Sequence, residues 1–210
     1  MIRPPVPTMS GGGVAFSDAA EGDVRGDDLS RADLARRLGI TDRWATLTQV
    51  HGSKVVRVDQ PGDQGEADAM FTSIAGLPLA IFTADCAGVV VRAPGAVGVA
   101  HAGWRGAAGG VVEALIKDMR GAGFDPGSAA IGPALGPCCL EVGPEVSARF
   151  DGFTATTSWG APSVDLWAAI GAQLHGLEIW TAGKCTLHEP GWFSHRRDGA
   201  LARMATVAWL

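Results

Sequence analysis

Two histidines and a cysteine, His51, Cys86 and His101, stand where apolar runs give way to small residues. His51 lies in Thr48-Gln49-Val50-His51-Gly52 and Cys86 in Thr83-Ala84-Asp85-Cys86. His101 lies in Ala100-His101-Ala102-Gly103-Trp104-Arg105-Gly106. Imidazole nitrogen and thiolate sulfur are the ligands zinc prefers. Three protein ligands leave the fourth tetrahedral position free, which is the pattern of catalytic rather than structural sites. The same set can take copper, which outcompetes zinc at most nitrogen and sulfur sites. A Cys86–His101 pair is also a nucleophile and base of the kind hydrolases use. The spacings are non-local, so no short zinc-finger pattern applies. Two buried histidines and a buried apolar cysteine account for the same residue types.

The polar neighbours suggest further roles. Asp85 can orient a ligand histidine from behind, as metal-bound imidazoles usually require, or cap a strand end. Gly103-Trp104-Arg105-Gly106 opens a helix predicted over Gly106 to Arg120. Free N–H groups at that end, together with Arg105, suit phosphate or another anion. Otherwise Arg105 belongs to a surface salt bridge and Trp104 to the core. Gly132 to Glu141 is a stiff Gly-Pro loop that can wall a pocket, with Glu141 as a polar contact. Cys138 and Cys139 within it read as buried structural thiols. Ser194-His195-Arg196-Arg197-Asp198 is a polar cluster before the last strand, and a solvated loop is its plainer reading. His175 and His188 are given no role.

Composition excludes several classes. The chain has 210 residues, 47% hydrophobic and 19% charged, enough for one full core. Net charge is -5 at pH 7, and no Lys/Arg run is long enough to follow a phosphate backbone, so nucleic acid is not an expected partner. No apolar stretch has the length of a membrane span, and Met1-Ile2-Arg3-Pro4-Pro5 lacks a secretory apolar region. Four cysteines without a framework spacing fit a reducing cytoplasm. The absence of Tyr removes one common general acid.

The elements that must hold these residues can be read from periodicity. Residues 1 to about 28 read as an extended lead-in with at most one short strand near Val14-Ala15-Phe16. Ser30 is a good N-cap for a helix from Arg31 to Leu38, stopped by Gly39. Ala45 to Val50 and Lys54 to Val58 read as strands around His51. Pro61 to Glu66 reads as a turn-rich loop, and Asp68 to Phe71 as an edge strand. Leu79 to Thr83, Val89 to Arg92, Val97 to Ala100, Ala129 to Ile131, Leu177 to Thr181 and Met204 to Trp209 are strands by β-branched content and Gly/Pro bounds. In the Gly106–Arg120 helix, Val111, Val112, Leu115, Ile116 and Met119 share one face. Pro144 to Phe150 and Val164 to Leu174 read as further helices. Strands and helices intermix without a strict βαβ rhythm, so the fold class is α+β or mixed α/β in one domain.

Several blocks in order are specific together: Thr-Gln-Val-His-Gly (48–52), Ala-Asp-Ala (67–69), Thr-Ala-Asp-Cys (83–86), Ala-His-Ala-Gly-Trp-Arg-Gly (100–106), Ile-Gly-Pro-Ala-Leu-Gly-Pro-Cys-Cys (131–139), Cys-Thr (185–186) and Phe-Ser-His-Arg-Arg-Asp-Gly (193–199). From about residue 45 to 210 the chain resembles the laccase-domain family, also called the multicopper polyphenol oxidase or peptidoglycan-editing-factor family. The resemblance implies two packed mixed β-sheets flanked by helices (α/β/β/α), with residues 1–210 as a single laccase-type domain. It implies that His51, Cys86 and His101 hold zinc. It implies a purine nucleoside phosphorylase that also deaminates adenosine and cleaves methylthioadenosine, with purine nucleosides and phosphate as its small-molecule partners. His51, Cys86, His101 and Asp85 are then the candidate catalytic residues. Gln49, Arg105, Glu141, His195 and Arg196 are the candidates for binding substrate. A copper-linked polyphenol oxidase, a peptidoglycan-precursor hydrolase using Cys86 and His101, and a non-catalytic zinc protein are the competing readings. Five histidines are few for several copper centres. The family's N-terminal Ser-Leu-Asn-Leu-Gly stretch and later Asn-Arg pair are shortened or replaced here, and Leu140 stands where an aromatic residue is common.

Overall fold

The structure is a computed structural model and describes residues 1–4 and 12–210. The part of the lead-in over 5–11 lies outside the described residues. In chain order come β1 (Gly13–Phe16), a 3-10 turn (Ala19–Glu21), α1 (Asp28–Leu38), β2 (Ala45–Thr48), β3 (Val55–Arg57), β4 (Gly62–Glu66), β5 (Ala69–Thr72), β6 (Leu79–Thr83), β7 (Ala87–Ala93) and β8 (Ala96–Ala102). There follow α2 (Trp104–Ala108), α3 (Val111–Gly121), β9 (Ser128–Ile131), α4 (Pro144–Ser147), β10 (Thr154–Thr156), β11 (Pro162–Val164), α5 (Leu166–Gln173), β12 (Glu178–Thr181), α6 (His195–Asp198) and β13 (Met204–Trp209).

Two mixed sheets pack face to face. One runs β1-β13-β6-β2-β4 and the other β12-β9-β7-β8-β5-β3, with β10-β11 as a separate ribbon. β2 pairs parallel with both β4 and β6, while β13 is antiparallel to β1 and β6. β12–β9 and β3–β5 are parallel, and the centre of the second sheet is antiparallel. Side chains alternate between faces with period two. Leu79 and Ile81 therefore enter the core between the sheets, where Phe16, Met70, Val90 and Val99 meet them. Ala80 and Phe82 face outward, against Leu34, Ala35 and Leu38 of α1. Val89 and Val91 face the other way, toward Val111, Leu115 and Met119 of α3. Strands buried on both faces must be apolar throughout, which is why these runs do not alternate in polarity. The result is the α/β/β/α layering expected of the chain. The sheets approach closely at Gly88, where a Cβ would lie 2.0 Å from Thr206 Oγ1.

Several boundaries correct the sequence reading. The N-cap of α1 is Asp27, whose carboxylate accepts from Leu29 N and Ser30 N; Ser30 lies inside the helix and donates its hydroxyl to the same carboxylate. Gly39 closes the helix in the left-handed region, as read. Residues 62–66 form an edge strand, not a loop. Their polar composition suits a strand that is mostly exposed and pairs with β2 on one side. Conversely, β5 is not at an edge. It lies between β3 and β8 with all four residues buried. The single helix expected over Gly106 to Arg120 is two, α2 and α3, because Gly110 adopts φ +73° and turns the chain between them. Val164 ends β11, and the helix after it starts at Leu166 behind the Asp165 cap. The ribbon β10–β11, the 3-10 turn and α6 were not anticipated; each is too short to show a period.

Candidate metal centre

β6 belongs to one sheet and β7 to the other, so Ala84-Asp85-Cys86 must cross between layers within three residues. Asp85 makes the crossing with φ 90°, a conformation L-residues rarely adopt. Two 2.7 Å hydrogen bonds hold it there: Thr186 Oγ1 donates to Oδ1, and the Arg196 backbone N–H donates to Oδ2. Both carboxylate oxygens are thus taken by the protein frame. Asp85 makes no hydrogen bond to His51 or His101; of its two expected roles, the bonds to Thr186 and Arg196 fit the strand-end cap, in the turn that presents Cys86.

The residue behind the histidines is Asp68, fully buried just before β5. Its Oδ1 lies 2.8 Å from His101 Nδ1 and accepts from His51 N at 2.9 Å. Its Oδ2 accepts from Gly52 N at 2.6 Å and Val50 N at 3.2 Å. One carboxylate therefore orients the His101 ring and clamps the loop carrying His51, which sits at φ 62°. Burial opposes ionisation of Asp68, but the bonds from His101 and Gly52 outweigh it and hold the carboxyl below its usual range. The sequence signal was present in Ala67-Asp68-Ala69, a carboxylate between small apolar residues, but no role was read from it.

His101 projects from β8 rather than following it, and Gly103 comes two residues later. A Cβ at Gly103 would lie 2.7 Å from Cys86 Sγ and 3.3 Å from His51 Cδ2, so only glycine leaves room for the thiol. The rings of His51 and His101 meet edge-on at 4.7 Å between centroids. The ligand atoms of His51, Cys86 and His101 all lie within 4.8 Å of one another. Burial opposes the Cys86 thiolate, but hydrogen bonds with His101 and His51 more than offset it and bring the thiol down to about 6. Burial likewise opposes the His101 imidazolium, and Asp68 and Cys86 reverse that, raising it to about 9. A convergent thiolate and two imidazoles, one with its far nitrogen fixed by a carboxylate, is a donor set that fits a zinc-like cation.

The three residues open onto a cleft of about 350 Å3. Phe82, Leu135, Leu140 and Leu166 supply apolar wall, and Arg105, His195, Arg196 and Arg203 line it too. Phe82 and Arg203 were not anticipated. Arg105 is exposed and stacks on Trp104, its guanidinium carbon 4.2 Å from the ring centroid. With only five residues, α2 is too short to act as an anion site by its dipole, so the expected anion role rests on Arg105 alone. Gln49 lines the cleft but spends its carboxamide on the Phe82 backbone, donating to O and accepting from N, each at 2.8 Å. It positions Phe82 rather than offering free groups. Glu141 does not line the cleft: its carboxylate accepts from Trp159 Nε1 at 2.7 Å, and its carbonyl accepts from Arg196 Nη1. His195 and Arg196 open α6, which Ser194 caps.

A four-layer α/β/β/α protein with a His2Cys cluster lining a cleft is the class that fold and site define. The chain belongs to the family described as multi-copper polyphenol oxidoreductase laccase, which matches residues 17–210. It is similar to "Purine nucleoside phosphorylase ORF3" of Streptomyces griseus, 38% identical over 95% of this chain and 91% of that protein. It is 37% identical to "Purine nucleoside phosphorylase Rv2149c" of Mycobacterium tuberculosis, over 98% and 91% of the two chains. Among solved structures, YlmD from Geobacillus stearothermophilus superposes with a TM-score of 0.83 at 29% identity, covering 97% of this chain and 93% of that one.

Proposed function

We propose that the protein is a zinc-dependent purine nucleoside phosphorylase, with adenosine deamination and methylthioadenosine phosphorolysis as activities of the same cleft. The observation that carries this reading is the convergence of His51, Cys86 and His101 within 4.8 Å in a cleft lined by apolar groups and guanidinium groups. The relatives named purine nucleoside phosphorylase, similar over nearly their whole length, support it. His51, Cys86 and His101 hold the ion, which when bound supplies Lewis-acid activation of a nucleophile.

The chain's own residues do the rest. Phe82, Leu135 and Leu140 offer an apolar bed for the flat purine. Arg105, braced on Trp104, holds phosphate by charge-assisted hydrogen bonds. A phosphate oxygen attacks the ribose anomeric carbon as the bond to the purine nitrogen breaks, and the departing purine takes a proton. His195, exposed and lining the same cleft, is the candidate to give that proton. Asp68 and Asp85 act at one remove: they set the positions of the two histidines and of Cys86.

The test is chromatographic product analysis of zinc-loaded protein with adenosine and phosphate. Adenine with ribose-1-phosphate establishes phosphorolysis, and inosine establishes deamination. No product from fully metallated protein overturns the reading.

A further inference from the structure

A second cluster of metal-ligating groups lies outside this cleft. The sulfur atoms of Cys138, Cys139 and Cys185 are all within 4.8 Å of one another, with Cys138 and Cys139 at 3.4 Å. They come from two segments that the fold brings together. Cys138 and Cys139 lie in the turn after Gly136, where Cys139 N and Leu140 N donate to the Gly136 carbonyl. Cys185 is held alongside by the bridge between Ala134 and Cys185. Thr186, its neighbour, is the residue that fixes Asp85. All four cysteines of the chain are free thiols.

From these positions we infer a second metal site, in which Cys138, Cys139 and Cys185 bind a thiophilic d10 cation of the Cu(I) and Zn2+ class. Three arguments support it. Metal–sulfur bonds near 2.3 Å put the sulfurs of a trigonal or tetrahedral site roughly 3.8–4.0 Å apart. The separations here need change by less than about 1 Å to meet that geometry, which side-chain rotation supplies. The ligand set is sulfur alone, which selects soft cations over Mg2+ or Ca2+. The cluster also has a cradle. Gly136 N donates to Cys185 Sγ at 3.4 Å, and a Cβ at Gly136 would strike the Trp167 ring at 2.8 Å.

Burial opposes ionisation of Cys185, but backbone N–H groups of Gly136, His188 and Leu187 overcome it and lower its pKa. Burial and the neighbouring sulfurs push Cys139 up to about 12. Binding breaks the S–H bonds of the three cysteines, puts the sulfur electron pairs on the cation and releases the thiol protons to solvent, so affinity rises with pH. Cys138 is half-buried and gives the route in, while Cys139 and Cys185 are buried. No oxidant is required.

The experiment is titration of the full reduced chain with Cd2+ alone, read by sulfur-to-metal charge-transfer absorption, with Zn2+ and Cu(I) as competitors. The Cys86→Ser protein removes the thiolate of the first centre and isolates the cluster. It is expected to bind Cd2+ stoichiometrically, with absorption about one and a half times that of the double variant Cys86→Ser/Cys185→Ser, where two of the three cluster sulfurs remain. Near-ultraviolet dichroism of the tryptophans reports whether Cys185→Ser has folded. Should it not fold, Cys138→Ser, at the half-buried position, replaces it, and absorption in the double variant Cys86→Ser/Cys138→Ser must fall by at least a third. Failure of Cys86→Ser to take up Cd2+ overturns the site. So does a thiol count showing that two cluster sulfurs stay joined as a disulfide under the reducing conditions that free Cys86.

Discussion

Replacing Asp68 by Asn tests whether one buried carboxylate assembles the metal centre. Four donors converge on its two oxygens: the N–H groups of Val50, His51 and Gly52 and the His101 ring. A carboxamide has one acceptor oxygen and a donor NH2. Either flip therefore leaves two of the four donors facing another donor, in a fully buried position. Each lost bond to a charged group costs about 1.5–3 kcal/mol, so Asp68→Asn is expected to destabilise the metal-free fold by about 3–6 kcal/mol. For a domain of this size that lowers Tm by about 6–24 °C. Metal affinity should fall about 10–100-fold, because His101 loses the partner that sets its tautomer and orientation. The sign with pH is fixed as well. Since Asp68 is held below the usual carboxylate range in the fold, its stabilisation is present above that range and is lost as pH falls through the folded value. The variant should lack that acid-side loss. Urea unfolding of metal-free protein at several pH values measures the first effect, and competition with a chromophoric chelator measures the second. A stability change under about 1 kcal/mol with unchanged zinc affinity would refute the clamp.

Further outcomes follow from the same geometry. Gly103→Ala places a Cβ 2.7 Å from Cys86 Sγ and should weaken zinc binding by about 10-fold or more while costing the fold little; isothermal titration reads it. In metal-free protein, alkylation of Cys86 should be half-maximal near about 6 and level above, and zinc should protect it, whereas Cys139, at about 12, should stay unreactive at neutral pH; peptide mass mapping distinguishes them. Arg105→Ala should raise the phosphate KM about 10–100-fold with zinc stoichiometry unchanged, and an unchanged phosphate dependence would remove Arg105 from the anion site.

Much of the fold was legible because its central strands are buried on both faces. β6 and β13 were read residue for residue, since runs such as Leu79-Ala80-Ile81-Phe82-Thr83 leave little alternative to a doubly covered strand. The misread elements are those whose setting is tertiary. β4 is polar because it is an edge, and β5 looked peripheral because its partners β3 and β8 come from elsewhere in the chain. The Gly109-Gly110 break was visible as two glycines, but the apolar face of α3 masked it. At the site, the three ligand types were legible as zinc-binding chemistry, and their convergence was carried by the family resemblance. Asp68 and Gly103 went unassigned because their roles are contacts with distant residues: a carboxylate reached from three N–H groups, and an absent Cβ beside a thiol. Asp85, adjacent to Cys86, leaves an orienting role and a strand-end cap equally open in the sequence; its φ of 90° and its bonds to Thr186 and Arg196 favour the cap.

The most direct test of the central claim is add-back of zinc to metal-stripped protein in the presence of adenosine and phosphate. The account predicts that ribose-1-phosphate formation rises in proportion to zinc occupancy of the His51–Cys86–His101 centre and is abolished in Cys86→Ser protein. Phosphorolysis by metal-stripped protein at the full rate, or by Cys86→Ser protein at the wild-type rate, would contradict it.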